Sequence, residues 1–313
     1  MPYNLRPLSG VIALCVAPVG ALAAPDGWSP LLEPAELAAM LEDHADIRVV
    51  HVSGDSGAAA IPGAVATSYA DWRGPSDNPG ALREVAEFEA EARRLGIEAD
   101  TPVALVHSGS DATDMGVAAR IYWTLKSMGV EDLALVNGGF AAWQAAGLPV
   151  ADGVEQVAPS GFTAEWQEDW RVDTAEVERL IESGEADLID ARPPGFFEGL
   201  AWSIARPGTI RGASNLTFED WFDGNHMVDA TTARDIAERH GRTDAPLTVS
   251  FCKTGHWAAI NWFALSELAG VENTRLYAES MAEWTQADRP VDNEPSRVTI
   301  YWQSTRDWVS DLF

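Results

Sequence analysis

The sequence predicts an α/β protein of two tandem domains, each built on a parallel β-sheet with helices on both faces. Its 313 residues exceed the usual size of one domain and allow two hydrophobic cores. Short apolar strands alternate with amphipathic, helix-like segments, which is typical of parallel sheets. Landmarks recur at a constant offset, because Trp143 and Trp284 are 141 residues apart and so are Gly129 and Gly270. Such an offset indicates a duplicated domain.

The elements follow the same order in both halves of the chain. In the first half we expect strands and helices at 47–51 (strand), 102–107 (strand), 117–128 (helix) and 129–136 (strand). In the second half we expect them at 186–190 (strand), 246–251 (strand), 258–268 (helix) and 270–277 (strand). Polar loops follow the second strand of each set, at 108–114 and 252–257.

Residues 151–161 separate the two copies. They carry Gly, Pro, Ser and acidic residues without periodicity, which predicts a linker. The predicted organisation is a signal peptide (1–23), a first domain that lacks a nucleophile (28–150), the linker (151–161), a catalytic domain (162–292) and a C-terminal extension (293–313).

The first residues have the pattern of a signal peptide. Arg6 supplies a positive charge, an apolar run follows at 11–22, and Ala21-Leu22-Ala23 offers a small-x-small cleavage site. We therefore expect export, to the periplasm. Cleavage there removes Cys15 and leaves Cys252 as the only cysteine of the mature chain.

The charge of the chain excludes two classes of partner. The formal net charge is −27, whereas nucleic acids and anionic membrane surfaces both require a basic face. We expect neither as a partner.

Cys252 lies where an apolar strand ends and a loop leads into a helix. In open parallel sheets, ligands bind beyond the carboxyl ends of strands. Backbone amides at a helix N-terminus favour a thiolate over a thiol, and Gly255 allows a turn in which a Cβ would clash. Lys253 adds positive charge. We therefore interpret Cys252 as a nucleophile, the alternative being a buried, inert cysteine.

Four segments resemble the rhodanese family, in particular its tandem-domain thiosulfate and 3-mercaptopyruvate sulfurtransferases. The resemblance covers residues 30–292 and is carried by Leu188-Ile-Asp-Ala-Arg192, Pro207-Gly-Thr-Ile-Arg-Gly-Ala213, the six-residue loop Cys252–Trp257 and Leu276-Tyr-Ala-Glu-Ser-Met-Ala-Glu-Trp284. It implies two rhodanese-like domains, and we expect no cofactor. Cys252 and His256 have a spacing that could ligate a metal, but no second Cys/His pair lies nearby in the sequence, so we expect no metal. The resemblance implies a cycle in which Cys252 takes sulfane sulfur from a donor, holds it as a persulfide and passes it to cyanide or a thiol.

The resemblance also suggests which residues bind substrate. The candidates are Arg192, Lys253, Thr254, Gly255, His256 and Trp257, with Asp190 in a supporting role. Several have alternatives: Arg192 could instead form an ion pair with Asp190 or Glu198, His256 could be a general acid, a second cation or a polar loop residue, and Trp257 could pack at the domain interface. Thiosulfate is favoured as the donor because Lys253 attracts a dianion, with 3-mercaptopyruvate as the other possibility.

Two other functions compete with this one. A cysteine phosphatase needs an arginine at the end of the loop, where this chain has Trp257 and Ala258, so that function is disfavoured. The second is a persulfide carrier that delivers sulfur to a partner protein, and the sequence leaves it open.

Overall fold

The computed structural model describes residues 24–52, 59–243 and 245–295. The expected signal peptide (1–23) and most of the expected C-terminal extension lie outside the described residues, so both stay predictions. Within the described residues, no helix has the length and apolarity needed to cross a bilayer.

The first half of the chain forms a five-stranded parallel sheet. The strands of the first half, including two outside this sheet, are β1 (Leu31–Leu32), β2 (Arg48–Val52), β3 (Ala59–Ala60), β4 (Val65–Thr67), β5 (Val103–Val106), β6 (Leu133–Val136) and β7 (Ala151–Asp152). Its helices are α1 (Pro34–Asp43), α2 (Val85–Arg94), α3 (Met115–Ser127) and α4 (Gly139–Ala145). The sheet order is β1-β6-β5-β2-β4, while β3 and β7 pair separately and antiparallel. The expected linker therefore begins with a short strand.

The second half forms a four-stranded parallel sheet in the order β10-β8-β13-β14. The strands of the second half, including four that pair outside this sheet, are β8 (Asp187–Asp190), β9 (Thr209–Ile210), β10 (Ser214–Asn215), β11 (Phe222–Asp223), β12 (His226–Met227), β13 (Thr248–Phe251), β14 (Thr274–Leu276) and β15 (Val291–Asp292). Its helices are α5 (Thr174–Ser183), α6 (Pro194–Phe197), α7 (Ala230–Arg239), α8 (Trp257–Phe263), which continues as a π-helical turn (Ala264–Leu268), and α9 (Ser280–Gln286). Arg171 bridges to Leu276 at the place that β1 occupies in the first sheet. The two sheets therefore share one order, as the repeat predicts.

Local sequence explains several of these boundaries. The strands Val103–Val106 and Thr248–Phe251 are buried along their whole length, as central strands covered on both faces must be. Helix α5 starts where the Asp173 carboxylate accepts the Glu176 amide, and it ends at Gly184, which has a φ of 68°.

The duplication extends to individual hydrogen bonds. The buried indole of Trp143 donates to the carbonyl of Pro149 at 2.8 Å, and the buried indole of Trp284 donates to that of Pro290 at 2.9 Å. Both tryptophans thereby fasten the chain that leaves α4 and α9 in their respective halves.

The two halves meet along helices α3 and α8, whose buried residues belong to one continuous core. Across this contact the ring of Tyr122 meets that of Phe263 edge-on at 5.1 Å. The Tyr122 hydroxyl donates to Glu267 at 2.7 Å, and Lys126 forms an ion pair with the same carboxylate at 2.9 Å. Since α8 follows the Cys252 loop directly, this contact holds the first half against that loop.

Candidate active site

Cys252 lies on the wall of a cavity between the two halves. It directly follows β13, and the residue is only 1% exposed to bulk solvent. The cavity has a volume of about 560 Å³. Its remaining lining comes from the first half (Tyr69, Ala70, Arg73, Pro79 and Thr113) and from the second (Phe196, Ser203, Lys253, Thr254, His256 and Trp257). The cysteine is therefore buried among other residues but borders a space large enough for a small molecule.

Ser280 fixes the Cys252 loop through hydrogen bonds to its backbone. Its Oγ accepts hydrogen bonds from the amides of Cys252 and Gly255, both at 3.1 Å, and donates to the carbonyl of Tyr277 at 2.8 Å. Ser280 has a φ of 56°, a left-handed conformation that costs a residue with a Cβ about 1–2 kcal/mol. The three hydrogen bonds offset that cost and fix where the loop begins and turns.

Gly255 makes the turn that its position in the sequence predicts. Its φ is 72°, and a Cβ there would lie 2.2 Å from a terminal nitrogen of Arg120 and 2.4 Å from the carbonyl oxygen of Ala278. Arg120, on α3 of the first half, is fully buried and donates to the carbonyls of Gly255, Ala278 and Gly80 at 3.5, 3.5 and 3.1 Å. The loop is therefore packed directly on an arginine of the other half.

His256 is neutral at pH 7. Burial, and to a smaller extent the nearby charge of Arg73, lowers its pKa to about 4. The Nε2 atom lies 2.8 Å from the carbonyl oxygen of Thr113, which can only accept, so Nε2 carries the proton. Nδ1 then accepts from the Tyr69 hydroxyl at 3.0 Å. The possibility that His256 serves as a second cation is therefore wrong.

The other loop residues border the cavity as well. Lys253 and Thr254 also line a second cavity, of about 330 Å³. Trp257 stacks on the ring of Phe218 at 4.9 Å and meets Phe196 edge-on at 6.2 Å. Trp257 therefore packs within the second half while one surface faces the cavity.

Comparison with known proteins decides the family. The rhodanese-like domain matches residues 173–287. The chain is 32% identical over 243 residues to the thiosulfate sulfurtransferase of Corynebacterium glutamicum, covering 72% of this chain and 76% of that protein. The chain belongs to the rhodanese family. It is also 29% identical over 242 residues to the 3-mercaptopyruvate sulfurtransferase of Escherichia coli, covering 74% of this chain and 83% of that protein. The predicted family is confirmed.

Solved structures support the rhodanese fold. The crystal structure of the 3-mercaptopyruvate sulfotransferase SseA from Escherichia coli matches with a TM-score of 0.70 at 23% identity, covering 80% of this chain and 98% of that one. The anaerobic ergothioneine biosynthesis enzyme of Chlorobium limicola matches with a TM-score of 0.74 at 21% identity, covering 85% and 71%. These likenesses concern the fold, and they confirm the predicted fold class.

Arg192 is not brought to the cavity. The residue is 1% exposed, and its Nε and Nη2 atoms donate to the Asp190 carboxylate at 2.9 and 2.6 Å. Nη2 also donates to the carbonyl of Gly208 at 2.7 Å, and Asp190 accepts the Thr209 hydroxyl at 2.8 Å. Of the two roles weighed for Arg192, the structure has the ion pair. Its assignment to substrate binding is corrected, because its Nε and Nη2 atoms are bound to buried acceptors and the residue does not line the cavity.

The first half of the chain has a carboxylate in the loop that corresponds to the Cys252 loop. Asp114 accepts hydrogen bonds from the Ser108 hydroxyl at 2.6 Å and the Gly109 amide at 2.8 Å, and it lies 3.1 Å from Nδ1 of His107. Burial alone would raise the pKa of Asp114, but the hydrogen bonds from His107 and Ser108 keep it well below its ordinary value. The loop thus supplies its own anion.

Sequence reasoning missed four residues of the site. Ser280 had a signal, because it aligns with Gly139 at the repeat offset and Gly139 has a φ of 61°. Tyr69, Arg73 and Arg120 had none, since they belong to the half without a nucleophile and approach Cys252 only through folding.

Proposed function

We propose that this protein transfers a sulfane sulfur atom from a donor to a thiophilic acceptor through a persulfide on Cys252. The observation that carries the proposal is the position of Cys252. It is the one cysteine among the described residues, and it borders a cavity at the carboxyl end of a parallel strand. The relatives named thiosulfate and 3-mercaptopyruvate sulfurtransferases support the same chemistry.

The reaction has two steps. In the first step, the Cys252 thiolate attacks the outer sulfur of thiosulfate, a bond forms between Sγ and that sulfur, and the S–S bond of the donor breaks. The electron pair of that bond leaves with sulfite. In the second step, cyanide or a thiolate attacks the terminal sulfur of the persulfide, and the Cys252 thiolate leaves. One difficult transfer is thereby divided into two easier ones, with no external oxidant or reductant.

The Cys252 loop is suited to stabilise the sulfur anion that both reaction steps require. The amides of Cys252 and Gly255 bond to Ser280, whereas among the described residues no hydrogen bond engages the amides of Lys253, Thr254 and His256. Free amides beside a sulfur anion stabilise it as an oxyanion hole stabilises oxygen. Lys253, which forms no ion pair with a described residue, adds a positive charge.

Thiosulfate is the donor we propose, ahead of 3-mercaptopyruvate. The test is steady-state transfer to cyanide with each donor in turn, comparing wild type with Cys252→Ala. We expect turnover with thiosulfate, none in the variant, and a mass increase of one sulfur atom in wild type after donor alone. Transfer by Cys252→Ala, or an unchanged mass after donor treatment, would contradict the proposal.

A persulfide carrier that serves a protein acceptor is the second candidate. Leu200 and Trp202 expose 46% and 41% of their surface and lie within three residues of Ser203, which borders the cavity. An exposed apolar pair at the rim suits contact with another protein. Stoichiometric loading of Cys252 without turnover on cyanide or small thiols would favour the carrier, and rapid turnover would favour the enzyme.

We also propose that the protein is exported to the periplasm, on the sequence pattern of residues 1–23. The test is cell fractionation with N-terminal sequencing of the mature chain. We expect a mature chain that starts near residue 24. A cytoplasmic chain that keeps Cys15 would contradict the proposal.

A further inference from the structure

Two arginines of the first half lie beside the cavity, and neither forms an ion pair with a described carboxylate. Arg120 is fully buried and contacts backbone carbonyls and the face of Trp123, 5.2 Å from its ring centre. Arg73 is 9% exposed, and it donates from Nε to the carbonyl of Pro79 at 2.6 Å and from Nη1 to the Tyr69 hydroxyl. Neither forms an ion pair with any residue of 24–52, 59–243 or 245–295.

Buried cations are expensive unless they are paired. The other two buried arginines of the described residues are paired, Arg192 with Asp190 at 2.6 Å and Arg242 with Asp187 at 3.1 Å. Burial and then the positive charge of Arg73 lower the pKa of Arg120 to about 10, against the opposing effects of Glu279 and Cys252. The site therefore holds two neighbouring positive charges, and the nearby carboxylate of Glu279 is ion-paired with Arg171 at 2.6 Å.

The two arginines differ in what they can reach. Arg120 lies beneath the Cys252 loop and is not part of the cavity lining, so it positions the loop through the carbonyl of Gly255. Arg73 does line the cavity, together with Cys252, and no described residue accepts a hydrogen bond from its Nη2. A guanidinium with a free edge matches the oxygens of a sulfonate or carboxylate.

We propose that Arg73, from the half without the nucleophile, binds the anionic group of the sulfur donor while the donor's outer sulfur meets Cys252. The inference deepens the proposed function and rests on it. The ligand class is a small organic or inorganic sulfur anion whose sulfonate or carboxylate end faces Arg73. Donor recognition then lies in the first half, at the place left open when Arg192 is committed to Asp190.

A chain of hydrogen bonds keeps Arg73 aimed at the cavity. His256 donates from Nε2 to the carbonyl of Thr113 and accepts at Nδ1 from Tyr69, so the Tyr69 oxygen is left to accept from Arg73. Each bond in the chain has one allowed direction. Tyr69 and His256 are therefore positioning residues for the guanidinium, and the chain links the Cys252 loop to the donor's binding group.

The test compares two alkylating reagents of similar shape that differ in charge, iodoacetate and iodoacetamide, on the same thiol. Arg73→Gln should lower the rate of Cys252 alkylation by the anionic reagent about tenfold, the loss expected for one charge-assisted hydrogen bond, and leave the neutral reagent's rate unchanged. With thiosulfate the variant should raise KM about tenfold and change kcat less. Arg73→Lys should recover part of the preference for the anion, because it keeps the charge without the fork.

The matched control is Arg83→Gln, which removes a half-exposed arginine of the same half whose partner is Glu87. We expect wild-type ratios from it. An unchanged ratio of the two alkylation rates in both Arg73 variants would overturn the inference. If wild type transfers no sulfur from thiosulfate and yet the ratio falls in Arg73→Gln, the anion site stands and the proposed function fails. If Arg73→Gln does not fold, Arg73→Lys decides. A wild-type anion preference and KM in Arg73→Lys would overturn the proposal that the guanidinium binds the anion through two N–H groups. A reduced anion preference together with a raised KM would support it.

Discussion

Removal of the Ser280 hydroxyl tests how the site is held together. Ser280→Ala deletes three buried hydrogen bonds and leaves the amides of Cys252 and Gly255 without an acceptor. A buried, unsatisfied group costs about 1–3 kcal/mol, so the free energy of unfolding should fall by about 3 kcal/mol. Ser280→Gly loses the same hydrogen bonds but accepts a φ of 56° freely, so it should fall by about 1 kcal/mol less.

The assay pairs urea unfolding with steady-state sulfur transfer. Both variants should transfer sulfur at least tenfold more slowly than wild type, because the loop that carries the thiol is no longer held at either end of its turn. Alkylation of Cys252 by iodoacetamide should change as well, which a loss of global stability alone would not cause under native conditions. The control is Ser183→Ala, at the exposed end of α5, where the hydroxyl donates a long hydrogen bond of 3.4 Å to the carbonyl of Leu180 and also contacts the exposed Glu185.

One result would refute this account. If Ser280→Ala unfolds within about 0.5 kcal/mol of wild type and transfers sulfur at the wild-type rate, the hydroxyl does not hold the loop. If alanine proves more stable than glycine at this position, the left-handed backbone is not the source of strain.

Three further predictions concern other parts of the site. Gly255→Ala should abolish transfer and destabilise the fold, because its Cβ would lie 2.2 Å from a terminal nitrogen of Arg120. The control is Gly212→Ala, where φ is 77° and no atom lies within 4 Å of the added Cβ; it should lower the free energy of unfolding in urea by only about 1 kcal/mol and keep full activity. Equal effects of the two substitutions would contradict the packing described. Burial lowers the pKa of both His51 and His256 from 6.5 to about 4. Between pH 6.5 and pH 4 the unfolded chain therefore binds more protons than the folded one, and the free energy of unfolding falls as the pH falls. The loss between pH 7 and pH 5 should be about 2 kcal/mol per histidine. His256→Gln should therefore lose about 2 kcal/mol less than wild type between pH 7 and pH 5 in urea unfolding, and an identical loss would show that His256 is not held neutral. Arg192→Gln should destabilise the protein by about 3–5 kcal/mol because it leaves Asp190 buried and unpaired, while KM for thiosulfate stays unchanged; a raised KM with unaltered stability would restore the substrate-binding assignment.

The sequence predicted those features that depend on local pattern. Runs of apolar residues such as Thr248–Phe251 predict buried parallel strands, and the constant offset between Trp143 and Trp284 predicts a duplicated fold. The loop after β13 marked Cys252, and Gly255 marked a turn that the structure has at a φ of 72°. These features follow from chain periodicity and backbone sterics, which act over a few residues.

The tertiary structure decided the charge and the contacts of the site. A motif containing both Asp190 and Arg192 could not tell an ion pair from a ligand site, because that depends on which acceptors surround the guanidinium after burial. His256 is held neutral by burial and by the charge of Arg73, and both depend on how the first half packs on the Cys252 loop. Contacts between residues more than a hundred positions apart depend on how helices α3 and α8 pack, and no local pattern in the chain encodes that packing.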